Sequence, residues 1–416
     1  MLCIKWIRSN PNALDRALES RGLPPHAEQI LRTDKAYRQA RQTVEELQQR
    51  SNSIAKSSKP IEEKRVEAKA LKHELSQITE IMHQRQAELD AILLRLPNIL
   101  CNSVPIDPQG TRNQAVHTKG IKPSFSFTPK HHADFHHLGI DEVAGAKLSG
   151  SRFTVLRGPI AILENALQRF MIDHHTQKGY ELISTPVLVN TQTLTNTGQL
   201  PKFSADLFHT QTDHWLLPTS EASLTSLVAK KTFTKDDRFP LRFVALTECF
   251  RREAGAAGRQ TRGLIRQHQF SKVELVHITT QEQEGSALEE LTQSAESILD
   301  ALQLHYRRIL LCSGDTGFSA NKTYDLEVWM PGIGEYCEIS SCSSCGTFQS
   351  RRMSTRYKAS GQESQLAITL NGSGLAIGRT IAAIIENYQQ ENGNVTVPEV
   401  LRPYIHQEAL STSCTS

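Results

Sequence analysis

No stretch of this 416-residue chain stays apolar long enough to cross a bilayer: runs such as Ala91–Leu94 fall far short of the ~20 residues a spanning helix needs. The first eight residues, Met1-Leu-Cys-Ile-Lys-Trp-Ile-Arg8, lack the apolar stretch and small-residue cleavage site of a secretory signal, so a cytoplasmic protein with no membrane partner is expected. Cysteine is sparse, eight in all, and only Cys337, Cys342 and Cys345 lie close together. The last two form a CxxC, but no second CxxC accompanies it, and structural zinc usually takes two such pairs. Cys337 as a third ligand keeps a weak zinc reading open; reduced thiols are the expectation, with no zinc. Charge of one sign is not in large excess either, since the net of +3 neither demands nor excludes a polyanionic partner. Finally, Gly372-Ser-Gly-Leu-Ala-Ile-Gly-Arg-Thr380 misses the dinucleotide fingerprint by one extra residue. It misses the P-loop in spacing and in having Arg where Lys belongs.

What is there divides in two. From about Ala36 to Leu96 the chain has no glycine and one proline, and its apolar positions keep a four-three rhythm. Tyr37, Ala40, Val44, Leu47 and Ile54 follow one seam, with Ser51 in register. After the break Ser57-Ser-Lys-Pro60, a second seam runs Leu71, Leu75, Ile78, Met82, Leu89, Ile92 and Leu96, with Arg85 in register. Two heptad seams joined by a short polar turn predict an antiparallel coiled-coil hairpin that protrudes as an arm of roughly 40 Å. Taken alone, such heptads more commonly make a dimerisation coiled coil. Pro97-Asn98 stops the second helix, and residues to about Gly150 read as a connector. Beyond it, β-rich runs at Arg152–Leu156, Trp215–Leu217, Phe243–Leu246 and Lys272–Val276 alternate with amphipathic helices. Several runs follow one another without a helix between them, which argues for an α+β domain with a mainly antiparallel sheet. The tail after Tyr404 is expected to be disordered.

The chemistry concentrates between Phe250 and Leu275. A strand enters, a glycine-rich loop carries Arg251, Arg252, Arg259, Arg262 and Arg266, and a strand returns. Five arginines in so short a span repel one another without an anionic partner, and guanidinium forks match polyphosphate oxygens. A solvated charged loop is the plain alternative. Glu274, in Lys272-Val-Glu-Leu275, can face either side of its strand.

This stretch closely resembles motif 2 of the class II aminoacyl-tRNA synthetases, in the form typical of the seryl-tRNA synthetase family. Leu370-Asn-Gly-Ser-Gly-Leu-Ala-Ile-Gly-Arg379 is similar to that family's motif 3, and Ser151–Pro186 to its motif 1 region. Thr197-Gly-Gln-Leu-Pro-Lys-Phe203, Pro218-Thr-Ser-Glu221, Tyr324-Asp-Leu-Glu-Val-Trp329 and Glu338-Ile-Ser-Ser-Cys-Ser-Ser-Cys345 fit the same family in the same order. The signature strings of the other synthetase class, HIGH and KMSKS, are absent. The resemblance covers nearly the whole chain. It implies a class II antiparallel sheet core flanked by helices, with the hairpin as a tRNA-binding arm. It also implies an amino-terminal tRNA-binding domain over 1–105 and a catalytic domain over 106–416.

The resemblance further implies an enzyme that activates L-serine with ATP and Mg²⁺ and loads it onto serine tRNA, and onto selenocysteine tRNA where one exists, as a homodimer. Arg251 and Arg379 would be the catalytic residues, with Arg251 holding the α-phosphate as negative charge builds. Glu253 and the backbone near Gln267 would read the adenine edge, and Phe270 and Arg379 would sandwich the purine. Arg252, Ile339 and Ser340 would complete the ATP site. Glu338 and Ser341 would supply oxygen ligands to Mg²⁺. Serine would meet Thr219, Ser220, Glu221, Glu274 and Ser373. The family usually has Asp where Gln260 stands, Asn where Ser344 stands, an acidic residue near Thr347 and His where Ile368 stands. Two other classes compete. A ligase that loads an amino acid onto a carrier protein would lack the long arm, and a non-catalytic RNA-binding relative would be expected to lose Arg251, Glu338 or Arg379.

Overall fold

A computed structural model describes residues 1–234, 236–252, 262–358, 361 and 363–411. The chain forms two compact units, Met1–Ile99 and Leu100–Ser416. The first is entirely helical. Two short helices, Ile4–Ser9 and Pro11–Glu19, precede two long ones, Ala27–Lys56 and Ile61–Leu94. Asp15 accepts the backbone N–H groups of His26 and Ala27 at 2.8 and 3.0 Å, so a side chain from the preceding helix satisfies donors that the first long helix leaves open. Arg8 and Arg38 both bond the buried Asp34 carboxylate, which pins the base of that helix. Farther along, Val44 and Leu47 are buried on one helix and Leu71 and Leu89 on the other, all seam positions. The seam reaches the expected places, but the first helix begins nine residues earlier than its rhythm did, because Ala27–Lys35 pack on the short helices instead of following the heptad. At ~1.5 Å per residue the 34-residue second helix is about 50 Å long.

The second unit is built on an eight-stranded sheet. Its strands are β1 (Gln114–Lys119), β2 (Glu181–Leu182), β3 (Leu241–Phe250), β4 (Gln269–Thr279), β5 (Tyr306–Leu310), β6 (Lys322–Met330), β7 (Glu335–Ser344) and β8 (Ile368–Ala376). They lie in the order β1-β5-β6-β7-β8-β4-β3-β2. Every pairing is antiparallel except that of β2 with β3. Two long hairpins, β3–β4 and β6–β7, supply half of the sheet and need no helical crossover. The helices Gly158–Gln177, Glu284–Ala301 and Ile377–Tyr388 bury Leu163, Leu167, Leu291, Ile298, Ile381 and Ile384 in one cluster with Val273 and Leu275 of β4 and Leu370 of β8. Among the described residues, no helix is long and apolar enough to cross a membrane.

Two segments differ from expectation. The connector is not irregular: Gln114–Lys119 is the edge strand β1, and Glu142–Ser149 is a helix. All six residues of β1 are exposed, so no alternation of apolar side chains marked it. The tail also holds on beyond Tyr404, where Ala409–Leu410 pair with Val395–Thr396 and bury Leu410.

Candidate active site

Alternation along β4 decides which side chains meet. Val273 and Leu275 enter the helix-side core, so Phe270, Lys272 and Glu274 share the opposite face and line a cavity of about 550 Å³. The neighbouring strand adds Ser373, directly opposite Glu274 in the β4–β8 register. Ser373 stands between two glycines whose helix side is full. A Cβ on Gly372 would sit 2.4 Å from Leu291 Cδ2, and one on Gly374 would sit 2.7 Å from His175 Nε2. The Gly-Ser-Gly pattern therefore lets β8 lie close to the helices while its hydroxyl points into the cavity. His175 donates to the Gly374 carbonyl at 3.0 Å, and burial pushes its imidazole down to about 4, which keeps it neutral. Ser340, on the next strand, donates to the Ser373 carbonyl at 2.6 Å.

One end of the cavity is a buried polar cluster. Glu274, 2% exposed, forms an ion pair with Lys272, 6% exposed, and the Lys272 ammonium donates to Thr219 Oγ1 at 2.8 Å. Beside them Glu221 accepts from Gln349 Nε2 at 2.7 Å, Asn371 Nδ2 at 3.1 Å and Gln199 Nε2 at 3.5 Å. Burial, and then the charge of Glu274, raise the Glu221 carboxyl to about 7. The helix Glu221–Ser226 starts here and presents Glu221 to the cavity, with Thr219 just ahead of its N-cap residue Ser220.

The other end is lined by Arg251, Ile265, Arg266, Gln267, Phe270, Glu338, Ile339, Ser341 and Arg379. The Arg251 guanidinium lies 5.3 Å over the Phe270 ring, and its Nε donates to the Pro218 carbonyl at 3.3 Å. Arg379 donates to the Glu338 carbonyl at 2.7 Å and lies 3.3 Å from its carboxylate. Ser341 pairs in register with Asp325 on β6, whose carboxyl is raised to about 8 by burial first and by Glu338 second. Asp325 Oδ1 is buried with no hydrogen-bond partner among the described residues. Two acidic groups, one of them with an orphaned oxygen, and a hydroxyl form a donor set that suits a hard cation.

The cavity thus gathers Thr219, Glu221, Arg251, Gln267, Phe270, Glu274, Glu338, Ile339, Ser341, Ser373 and Arg379. Ser220 and Ser340 are buried outside its lining; Arg252 is exposed and also outside it. Glu253 lies outside the described residues, as do Arg259 and Gln260. Sequence reasoning missed Lys272 and Asn371 as lining residues, and Gln349, which supports Glu221 from behind. The spacing Phe270-x-Lys272-x-Glu274 on a strand was the available signal for the first. Of the unusual positions, Ser344 donates to Glu284 at 2.6 Å, Thr347 accepts from Arg351 at 3.5 Å and Ile368 is buried in the core. Cys342 and Cys345 are buried free thiols, and burial raises both.

In another metal-capable group among the described residues, His131, His132 and Glu386, the last two brace the chain. His132 Nδ1 donates to Glu386 at 2.8 Å, and its Nε2 accepts the N–H of Leu264 at 3.3 Å, where the chain returns to the cavity.

Comparison with known proteins agrees in both units. Residues 1–100 match the family model for the seryl-tRNA synthetase N-terminal domain, and residues 206–388 match that for the class II tRNA synthetase core domain of the G, H, P, S and T type. A serine–tRNA ligase of Dichelobacter nodosus is 52% identical over 345 residues, 82% of this chain and 81% of that one. Another, of Novosphingobium aromaticivorans, is 49% identical over 97% of each chain. Among solved structures, seryl-tRNA synthetase from Pyrococcus horikoshii complexed with ATP superimposes with a TM-score of 0.90 at 31% identity, covering 99% of both chains. The chain belongs to the seryl-tRNA synthetases, the class II ATP-dependent serine–tRNA ligases.

Proposed function

We propose that the cavity binds ATP along Arg251, Gln267, Phe270, Glu338, Ile339, Ser341 and Arg379, and serine at Thr219, Glu221, Glu274 and Ser373. Arg252, Glu253, Ser220 and Ser340 complete these sets from the second row or from the motif 2 loop. The observation that carries the reading is the meeting, in one cavity, of an aromatic ring face, two arginines and a buried carboxylate opposite a hydroxyl. Arg251 and Arg379 are the catalytic residues. Arg251 faces the α-phosphate and stabilises the charge that builds as the serine carboxylate attacks phosphorus and pyrophosphate leaves. Phe270 and Arg379 hold the purine between ring and guanidinium. Glu338 and Ser341 would hold Mg²⁺, and the orphaned Asp325 oxygen beside them fits a site that takes a cation. Bound there, the ion neutralises triphosphate charge. The terminal ribose hydroxyl of tRNA then attacks the activated carbonyl, seryl-tRNA forms and AMP leaves.

The amino-terminal part, 1–105, serves in this reading as the tRNA-binding domain, with the coiled-coil arm gripping RNA by shape and backbone, and 106–416 as the catalytic domain. The long arm favours this over a carrier-protein ligase. Family membership supports serine tRNA as the acceptor, selenocysteine tRNA where the cell has one, a homodimer and a cytoplasmic location. With Mg²⁺ present, serine should drive exchange of pyrophosphate into ATP, while alanine and glycine hardly do. A folded sample without serine-dependent exchange would sink the assignment.

A further inference from the structure

The Lys272 ammonium touches two residues of the proposed serine pocket, Glu274 and Thr219, whose oxygens are acceptors for a substrate ammonium. It pairs with the Glu274 carboxylate and donates to Thr219 Oγ1 at 2.8 Å, and both charged side chains are nearly sealed from water. A bound amino acid must put its own ammonium on these acceptors, and two ammonium groups sealed from water beside one carboxylate leave a positive charge unbalanced. Glu221 does not resolve the conflict: its oxygens accept from Gln349, Asn371 and Gln199, and its carboxyl is raised to about 7.

A zwitterion removes the conflict. If serine enters between Lys272 and Glu274, its ammonium takes the glutamate and its carboxylate takes the lysine, so one buried ion pair becomes two and no charge is left alone. The strand geometry favours this. Lys272 lies two residues from Phe270 and two from Glu274 on one face of β4, about 7 Å from each along the strand. Its Nζ, once released, is within reach of the middle of the cavity, between the purine end and the serine end. That is where the carboxylate meets the α-phosphate.

We propose that Lys272 is an internal stand-in for the substrate ammonium: serine displaces it from Glu274 and Thr219, and the freed ammonium binds the serine carboxylate beside the α-phosphate. This rests on the assignment of the pocket to serine. It makes Lys272 the residue that senses a carboxylate, complementary to Glu274, which senses the ammonium and hydroxyl. A cation without a carboxylate would strand Lys272 without a partner and therefore binds poorly.

The test compares serine with serinamide, which keeps the ammonium and hydroxyl and replaces the carboxylate by an amide. Binding to the full-length protein is followed by ligand-detected NMR titration with a non-hydrolysable ATP analogue present. The wild type should prefer serine at least tenfold. In Lys272→Met serine should weaken at least tenfold, while serinamide binds as well as before or better, so the preference collapses; Lys272→Arg, with the charge retained, should keep it. Lys272→Gln replaces the Met variant if that one does not fold. If the neutral variant changes both ligands by one factor, or neither, the exchange of partners is wrong while the pocket assignment stands. If Arg loses the preference as fully as Met, Lys272 is a packing element and the proposal falls. If the wild type binds neither ligand, the assignment of the pocket itself fails.

Discussion

Removing the Glu274 carboxylate should erase much of the discrimination between serine and alanine. The two amino acids differ by one hydroxyl, and an apolar pocket separates such a pair only weakly. A site that commits buried polar groups to the hydroxyl does better, because an analogue lacking it leaves them unpaired. Glu274 is 2% exposed and stands opposite Ser373, so it fits that description. A hydrogen bond to a charged group contributes about 1.5–3 kcal/mol, and an unpaired buried group costs about 1–3 kcal/mol. In Glu274→Ala serine loses its ammonium partner and its hydroxyl partner, together about 2.5–6 kcal/mol. At ~1.4 kcal/mol per factor of ten, serine kcat/KM should fall by roughly two to four orders of magnitude. Alanine has only the ammonium contact to lose, about 1.5–3 kcal/mol, or roughly one to two orders. The serine-to-alanine ratio should thus shrink roughly tenfold or more. Pyrophosphate exchange with both amino acids measures it, after a melting curve has shown that the variant folds with Lys272 unpaired. An unchanged ratio would mean that Glu274 does not read the hydroxyl, and the serine pocket would have to be sought elsewhere.

Glu221 should make stability depend on pH. Its folded carboxyl is raised from 4.5 to about 7, so the folded protein keeps a proton that the unfolded chain has released. Its contribution is full below about 4.5 and is lost as pH rises to about 7. Glu221→Gln should therefore gain stability relative to wild type by on the order of 3 kcal/mol between pH 4.5 and 8, read from denaturant midpoints. A constant difference would mean that Glu221 is ionised throughout. Gly372→Ala would drive a methyl group against Leu291 and Cys342 and should cost about 1–3 kcal/mol, seen as a lower Tm. A variant as stable as wild type would show that β8 has room on its helix side.

The arm and the sheet were legible because each writes a period into the sequence. The heptad seams placed Val44, Leu47, Leu71 and Leu89 where burial places them, and the adjacent β-runs became the hairpins β3–β4 and β6–β7. β1 was not legible, since its pairing with β5 is made by backbone groups and none of its side chains is buried. Nor was Gln349 as a support for Glu221, because the hydrogen bond joins residues 128 positions apart. Lys272 is the instructive case. Nothing in its sequence context assigns it a role, yet alternation puts it on the face of two named site residues and encloses it in the cavity.

In the proposed division of work, the unit beyond residue 100 activates serine and the helical hairpin before it recruits tRNA. Charging of serine tRNA, measured beside serine-dependent pyrophosphate exchange, tests that claim most directly when the intact chain is compared with a variant lacking Lys35–Leu96. The intact chain should do both. The shortened chain should keep exchange largely intact while charging collapses. An intact protein that activates serine but cannot charge serine tRNA, or a shortened one that charges as well as the full chain, would contradict the account.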